Sequence, residues 1–111
     1  MKMHACVNLW IECDGEVVLS DWRVSLLETI AETGSISAAA AQLKVPYHRA
    51  WDKIHEMEHG LRAKLVETQT GGRGGGGAHL SAAGQDYVDR FHRFEAGFTE
   101  LVEQRFNATF G

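Results

Sequence analysis

Only one proline, Pro46, and two cysteines, Cys6 and Cys13, occur in the 111 residues. No window approaches the roughly 20 apolar residues of a membrane-spanning helix, and the N-terminus has no apolar run of the signal-peptide kind. The chain is therefore expected to be soluble and cytoplasmic, with no membrane partner. Cys6 and Cys13 stand seven apart in what reads as one extended strand, so they point to opposite faces and lie too far apart to bridge; two reduced thiols are expected. No Ser, Thr or Cys has a recognisable base beside it, which leaves acyl transfer without support. An excess of positive charge is missing too. The formal net charge is −4, which argues against a strongly basic nucleic-acid binder.

The charge is nevertheless unevenly spread. Residues 1–43 sum to −4, residues 44–73 to +2 and residues 74–111 to −2, so the positive charge gathers in the middle, on Lys44, Arg49, Lys53, Arg62, Lys64 and Arg73. The length suits one domain, 1–111, with a modest core that a partner could complete. Within it, V-N-L-W-I-E and E-V-V-L flank Asp14-Gly15, the dipeptide favoured by a two-residue hairpin turn, and predict a β-hairpin within residues 1–20. From Asp21, read as a cap, Trp22, Leu26, Leu27 and Ile30 fall on one helical stripe that ends at Gly34. Ser37 is read as the cap of an alanine-rich stretch, S-A-A-A-A-Q-L. After an interruption at Lys44-Val45, Pro46 suits the first turn of another helix. Thin alanine faces let two helices cross closely, so residues 34–59 carry a helix-turn-helix spacing.

On the helix from Pro46 to about His59, Ala50, Ile54, Met57 and Leu61 share one side. His48, Asp52, His55 and His59 share the other, with Arg49 and Lys53 on one flank and Tyr47 and Trp51 on the opposite flank. Such an outer face carries groups suited to base edges and phosphates. Next come L-R-A-K-L-V-E-T, a loop with six glycines around Arg73, and A-H-L, which together read as two short strands joined by a wing tip. From Ser81 a last helix is predicted to residue 108. Its apolar residues Tyr87, Phe91, Phe94, Phe98 and Leu101 are spaced 4, 3, 4 and 3, a heptad-like seam. A helix of about 25 residues would span about 38 Å, longer than so small a domain can cover, and the seam is expected to be a dimer interface. The fold class is thus α+β, mostly α.

Two sharper motifs have plainer readings. His55-Glu56-Met57-Glu58-His59 matches H-E-x-x-H, a zinc-hydrolase pattern. Zinc chemistry also needs a third ligand and a cleft, and this helix is already assigned to a compact core, so no metal, no cofactor and no enzyme activity are expected. The glycine loop lacks the Lys and hydroxyl that a P-loop places directly before a helix. It is not a linker either, because the residues that follow make only a helix. Glycines there permit close approach to a phosphate, leaving Arg73 to make the charged contact.

Four runs, G-S-I-S-A-A-A-A-Q-L from Gly34, A-W-D-K-I-H-E-M-E from Ala50, T-G-G-R-G-G-G-G-A from Thr70 and L-S-A-A-G from Leu80, resemble the N-terminal DNA-binding domain of the ModE family of molybdate-responsive transcription regulators. More distantly they are similar to the LysR-type helix-turn-helix. The resemblance implies a homodimeric winged helix-turn-helix whose helix from Pro46 enters the major groove of duplex DNA, with a wing at residues 70–78 and a long C-terminal pairing helix. On that basis Tyr47, His48, Arg49, Asp52 and Lys53 are expected to meet base edges and nearby phosphates, and Arg62, Lys64 and Arg73 to neutralise phosphates. ModE regulators of the full type continue into a molybdate-binding region that has no counterpart up to Gly111. Control is therefore expected from a partner chain, from abundance or from another ligand. The opening V-P-Y-H-R stands where relatives commonly place a serine near Pro46, so their operator is not carried over. The rival expectation is a winged protein-interaction module that pairs with another regulator in a heteromer and binds DNA weakly.

Overall fold

Helices dominate, with two small hairpins between them: β1 (Trp10–Cys13), β2 (Glu16–Ser20), α1 (Asp21–Thr33), α2 (Ile36–Gln42), α3 (Tyr47–Leu61), β3 (Val66–Gln69), β4 (Gly77–Leu80), α4 (Ala82–Glu95) and α5 (Phe98–Phe110). The structure, a computed structural model, describes residues 1–69 and 77–111.

The Asp14-Gly15 turn forms as expected. Both residues have positive φ, 52° and 84°, the twist that joins right-handed strands in a two-residue hairpin. β1 pairs antiparallel with β2, Cys13 opposite Glu16, with a register shift between Ile11 and Glu12. The strand begins only at Trp10, so Cys6 lies outside it, contrary to the single extended strand expected; both thiols are free.

Two caps fall one or two residues ahead of the positions expected. Ser20, not Asp21, caps α1: its Oγ accepts the Arg23 N–H at 3.2 Å, which puts the Asp21 carboxylate in the first turn, where the helix dipole favours it. Gly34, at φ 73°, ends α1. Ser35 then caps α2, accepting the Ala38 N–H at 3.1 Å, and Ser37 lies within that helix. The chain leaves Gly34 in extended conformation at Ser35 (φ −155°), so the first hydroxyl after the break takes the capping role. Lys44, with φ 60°, turns the chain between α2 and α3. Pro46 precedes α3 in extended conformation rather than sitting in its first turn.

Val24, Leu26, Leu27 and Ile30 of α1, Ala39 and Ala40 of α2, and Ala50, Ile54 and Met57 of α3 make the centre of the core. Val18 and Leu19 close it from the hairpin, Leu65, Val66 and Ala78 from the wing, and Val88 and Phe91 from α4. β3 and β4 pair antiparallel from Val66 opposite Leu80 to Gln69 opposite Gly77. The wing is tied to the body at both ends. The Ala78 N–H donates to the Gly34 carbonyl (2.9 Å), and the Glu58 carboxylate accepts the N–H groups of Leu65 (2.8 Å) and Val66 (3.2 Å). Gly84 lets α4 lie flush on this strand, since a Cβ there would collide with the Leu65 carbonyl.

The single helix expected over residues 81–108 is two. Ala96 takes ψ 130° and Gly97 φ 85°, so the helical ladder stops at Glu95 and restarts at Phe98. Glycine reaches that left-handed region without the Cβ penalty that other residues meet. None of the helices among the described residues is long and apolar enough to cross a membrane.

Candidate nucleic-acid interface

α3 presents its length to solvent. With Ala50, Ile54 and Met57 turned into the core, Tyr47, His48, Arg49, Trp51, Asp52, His55 and Glu56 are exposed. Tyr47 and Trp51 keep 49% and 43% of their surface open, unusual for large aromatic side chains on a helix that had a free choice of inner and outer faces.

Lys53 differs from the others. It is half-buried, its Nζ lies 3.3 Å from Glu56 Oε2, and the same oxygen accepts from Arg23 Nη2 at 3.0 Å. Arg23 also donates to the Lys53 carbonyl (3.4 Å), which fastens α1 to α3. Burial pushes the Glu56 carboxyl up, but the hydrogen bonds from Arg23 and Lys53, with their charges, outweigh it and hold it below its ordinary value. Lys53 therefore shares its charge with the carboxylate of Glu56 on its own helix, whereas Arg49 is exposed on the outer face. Arg62 is exposed at the left-handed C-cap of α3, and Lys64 is exposed on the segment leading to β3. Arg73, expected at the wing tip, lies outside the described residues.

Two of the three H-E-x-x-H residues, His55 and Glu56, have other engagements. Glu56 is held in the ion pairs just given, and His55 Nδ1 lies 2.8 Å from the Trp51 carbonyl oxygen with its ring stacked on the indole, centroids 3.5 Å apart. Among the described residues no group of three or more His, Cys, Asp and Glu side chains is arranged to hold a metal ion. The sequence puts His55 on the outer face of α3 and Trp51 on its flank; their stack on one another was not anticipated, although the i, i+4 spacing signals side chains that meet on one face.

The five seam residues separate into two groups. Phe91 is 1% exposed inside the core and Tyr87 packs against it, whereas Phe94 and Leu101 are each 45% exposed and Phe98 is half-buried. Phe94 bridges the break, its ring 6.2 Å from Phe91 and 5.7 Å from Phe98. α5 has no buried residue at all.

Three crossed helices, a tight turn between α2 and α3, an outward α3 and a β3–β4 hairpin define a winged helix-turn-helix domain. The chain belongs to the lysR family of bacterial regulatory helix-turn-helix proteins, which matches residues 23–85. It is 42% identical over 80 residues to the molybdenum-pterin-binding protein MopB of Rhodobacter capsulatus, covering 72% of this chain and 30% of that protein. It is 39% identical over 89 residues to the DNA-binding transcriptional dual regulator ModE of Escherichia coli K12, covering 80% and 34%. The chain thus spans about a third of the length of the curated relatives it matches. Among solved structures, the DNA-binding domain of CbnR in complex with DNA superposes with a TM-score of 0.55 at 23% identity, over 79% of this chain and 91% of that one. Full-length CbnR complexed with its target DNA gives 0.56 at 25% identity, over 71% and 26%.

Proposed function

We propose that this chain is a sequence-specific DNA-binding module of a bacterial transcriptional regulator, working in the cytoplasm as a homodimer on palindromic duplex sites. The observation that carries it is the face of α3: a helix anchored by Ala50, Ile54 and Met57 that holds Tyr47, His48, Arg49 and Asp52 together in solvent. A major groove admits one α-helix, and hydrogen-bonding side chains on its outer face reach base edges there. Arg62 and Lys64, beyond the end of α3, and Arg73 on the glycine loop supply phosphate contacts that set register without reading sequence.

The relatives support this reading, since ModE of Yersinia pestis is a transcriptional regulator and ModE of Escherichia coli K12 a DNA-binding transcriptional dual regulator. Unpartnered apolar residues on α5 support pairing. Leu101, Val102, Phe106 and Phe110, with Ala5 of the N-terminal segment, line an open apolar groove, the kind of surface that a second copy covers.

Selection of bound duplexes from a random pool, with and without molybdate, tests the function. A palindrome with half-sites about one helical turn apart is expected, and Arg49→Ala should change the selected sequence. Absence of any enriched sequence at low salt would refute the reading, and enrichment that appears only with molybdate would assign the chain an effector.

A further inference from the structure

On the outer face of α3, His55, the first residue of the H-E-x-x-H stretch, is paired with Trp51 one turn before it. The His55 ring stacks on the Trp51 indole with an interplanar angle of 25° and a centroid separation of 3.5 Å. Its Nδ1 is 2.8 Å from the Trp51 carbonyl oxygen. A carbonyl oxygen only accepts, so Nδ1 carries the proton, and the neutral imidazole keeps Nε2 as a bare acceptor. Stack and hydrogen bond together fix the ring's position and its tautomer. His55 is exposed, one helical turn from Trp51 and two from Tyr47, on the face where Asp52 also lies.

An oriented acceptor is selective in the major groove. Guanine shows only acceptors there, thymine an acceptor and a methyl group, while cytosine offers the N4 amine and adenine the N6 amine as donors. Resting on the reading of α3 as the helix that enters the major groove, we infer that His55, held by Trp51, reads the exocyclic amine of an adenine or a cytosine at one position of each half-site. Trp51 is then a positioning residue, and His55 the one that touches the base.

The test is selection from a random duplex pool by the parent and by His55→Ala, His55→Lys, Trp51→Phe and Trp51→Ala, with thermal melting to confirm that each is folded. The parent's palindrome should hold A or C at one symmetric pair of positions. His55→Ala should keep the rest of the palindrome, lose preference at that pair and bind the parent's site about tenfold more weakly. His55→Lys replaces an acceptor with a donor and should move the preference to guanine. Trp51→Phe preserves an aromatic platform and should keep the A or C preference, which Trp51→Ala should lose. A parent that selects no palindrome would overturn the reading of α3 and this inference with it. A parental palindrome that His55→Ala and His55→Lys reproduce at every position would overturn the inference alone.

Discussion

Arg62 holds a left-handed backbone conformation, φ 53° and ψ 44°, at the end of α3, where its N–H reaches the His59 carbonyl at 3.4 Å. An L side chain there costs about 1–2 kcal/mol that glycine does not incur. The proposed function gives this long cation a use outside the fold, at a phosphate. Arg62→Gly should raise the unfolding free energy by about 1 kcal/mol in denaturant melts while weakening duplex binding to all sequences alike and making the log-log salt slope shallower by about 0.9. At this scale the sequence was legible on the inner face of α3, because a 3.6-residue period sorts Ala50, Ile54 and Met57 without further information. The caps were less so. Ser20 and Ser35 compete locally with Asp21 and Ser37, and the winner is decided by which residue is extended as the chain enters the helix.

Between elements, α4 is fastened to α1 through His92, whose Nε2 lies 3.1 Å from Glu28 Oε1 and whose Nδ1 lies 3.3 Å from Glu95 Oε1. Burial pushes the imidazole's pKa down, but the Glu28 and Glu95 carboxylates outweigh it and raise it above the ordinary 6.5. Glu95 is itself raised, by burial and by the Asp21 carboxyl. A group whose folded-state pKa is raised adds stability in full below its unfolded value and loses it as pH rises through the folded value. The melting-temperature advantage of the parent over His92→Gln should therefore shrink as pH rises above the ordinary 6.5. Half-exposed as this pair is, the underlying free energy is a few tenths of a kcal/mol; an advantage that grew with pH would refute the assignment. The break just beyond, at Ala96-Gly97, was hidden in the sequence because the 4, 3, 4, 3 spacing runs through it. Periodicity records which side chains want company, whereas the left-handed turn at Gly97 decides that they find it on two separate helices.

Over the whole molecule, the radius of gyration is 16.8 Å and the extents are 59 × 31 × 21 Å, against about 13 Å for a compact chain of this length. α5, without a buried residue, contributes apolar surface that the domain's own core does not cover. If a second copy covers it, Phe98→Glu combined with Leu101→Glu should give a monomer in sedimentation equilibrium. Melting of the body should change by less than about 0.5 kcal/mol, and affinity for a two-half-site duplex should fall further than for a single half-site. A double variant that remained dimeric would place the pairing surface elsewhere.

By itself the sequence determined the hairpin turn at Asp14-Gly15, the helix-turn-helix between Gly34 and His59, the two faces of α3 and the wing strands. Each of these is specified by neighbours within about two turns of chain, the range over which turn chemistry and helical period act. Tertiary structure alone decided the rest. It withdrew Phe91 from the seam into the core with Tyr87 packed against it, brought Arg23 of α1 to the Glu56 carboxylate of α3, and brought His92 of α4 to Glu28 of α1. The contacts of Arg23 and His92 join residues between 30 and 64 positions apart, where no local pattern reaches and only the packing of α1, α3 and α4 against one another sets the distances.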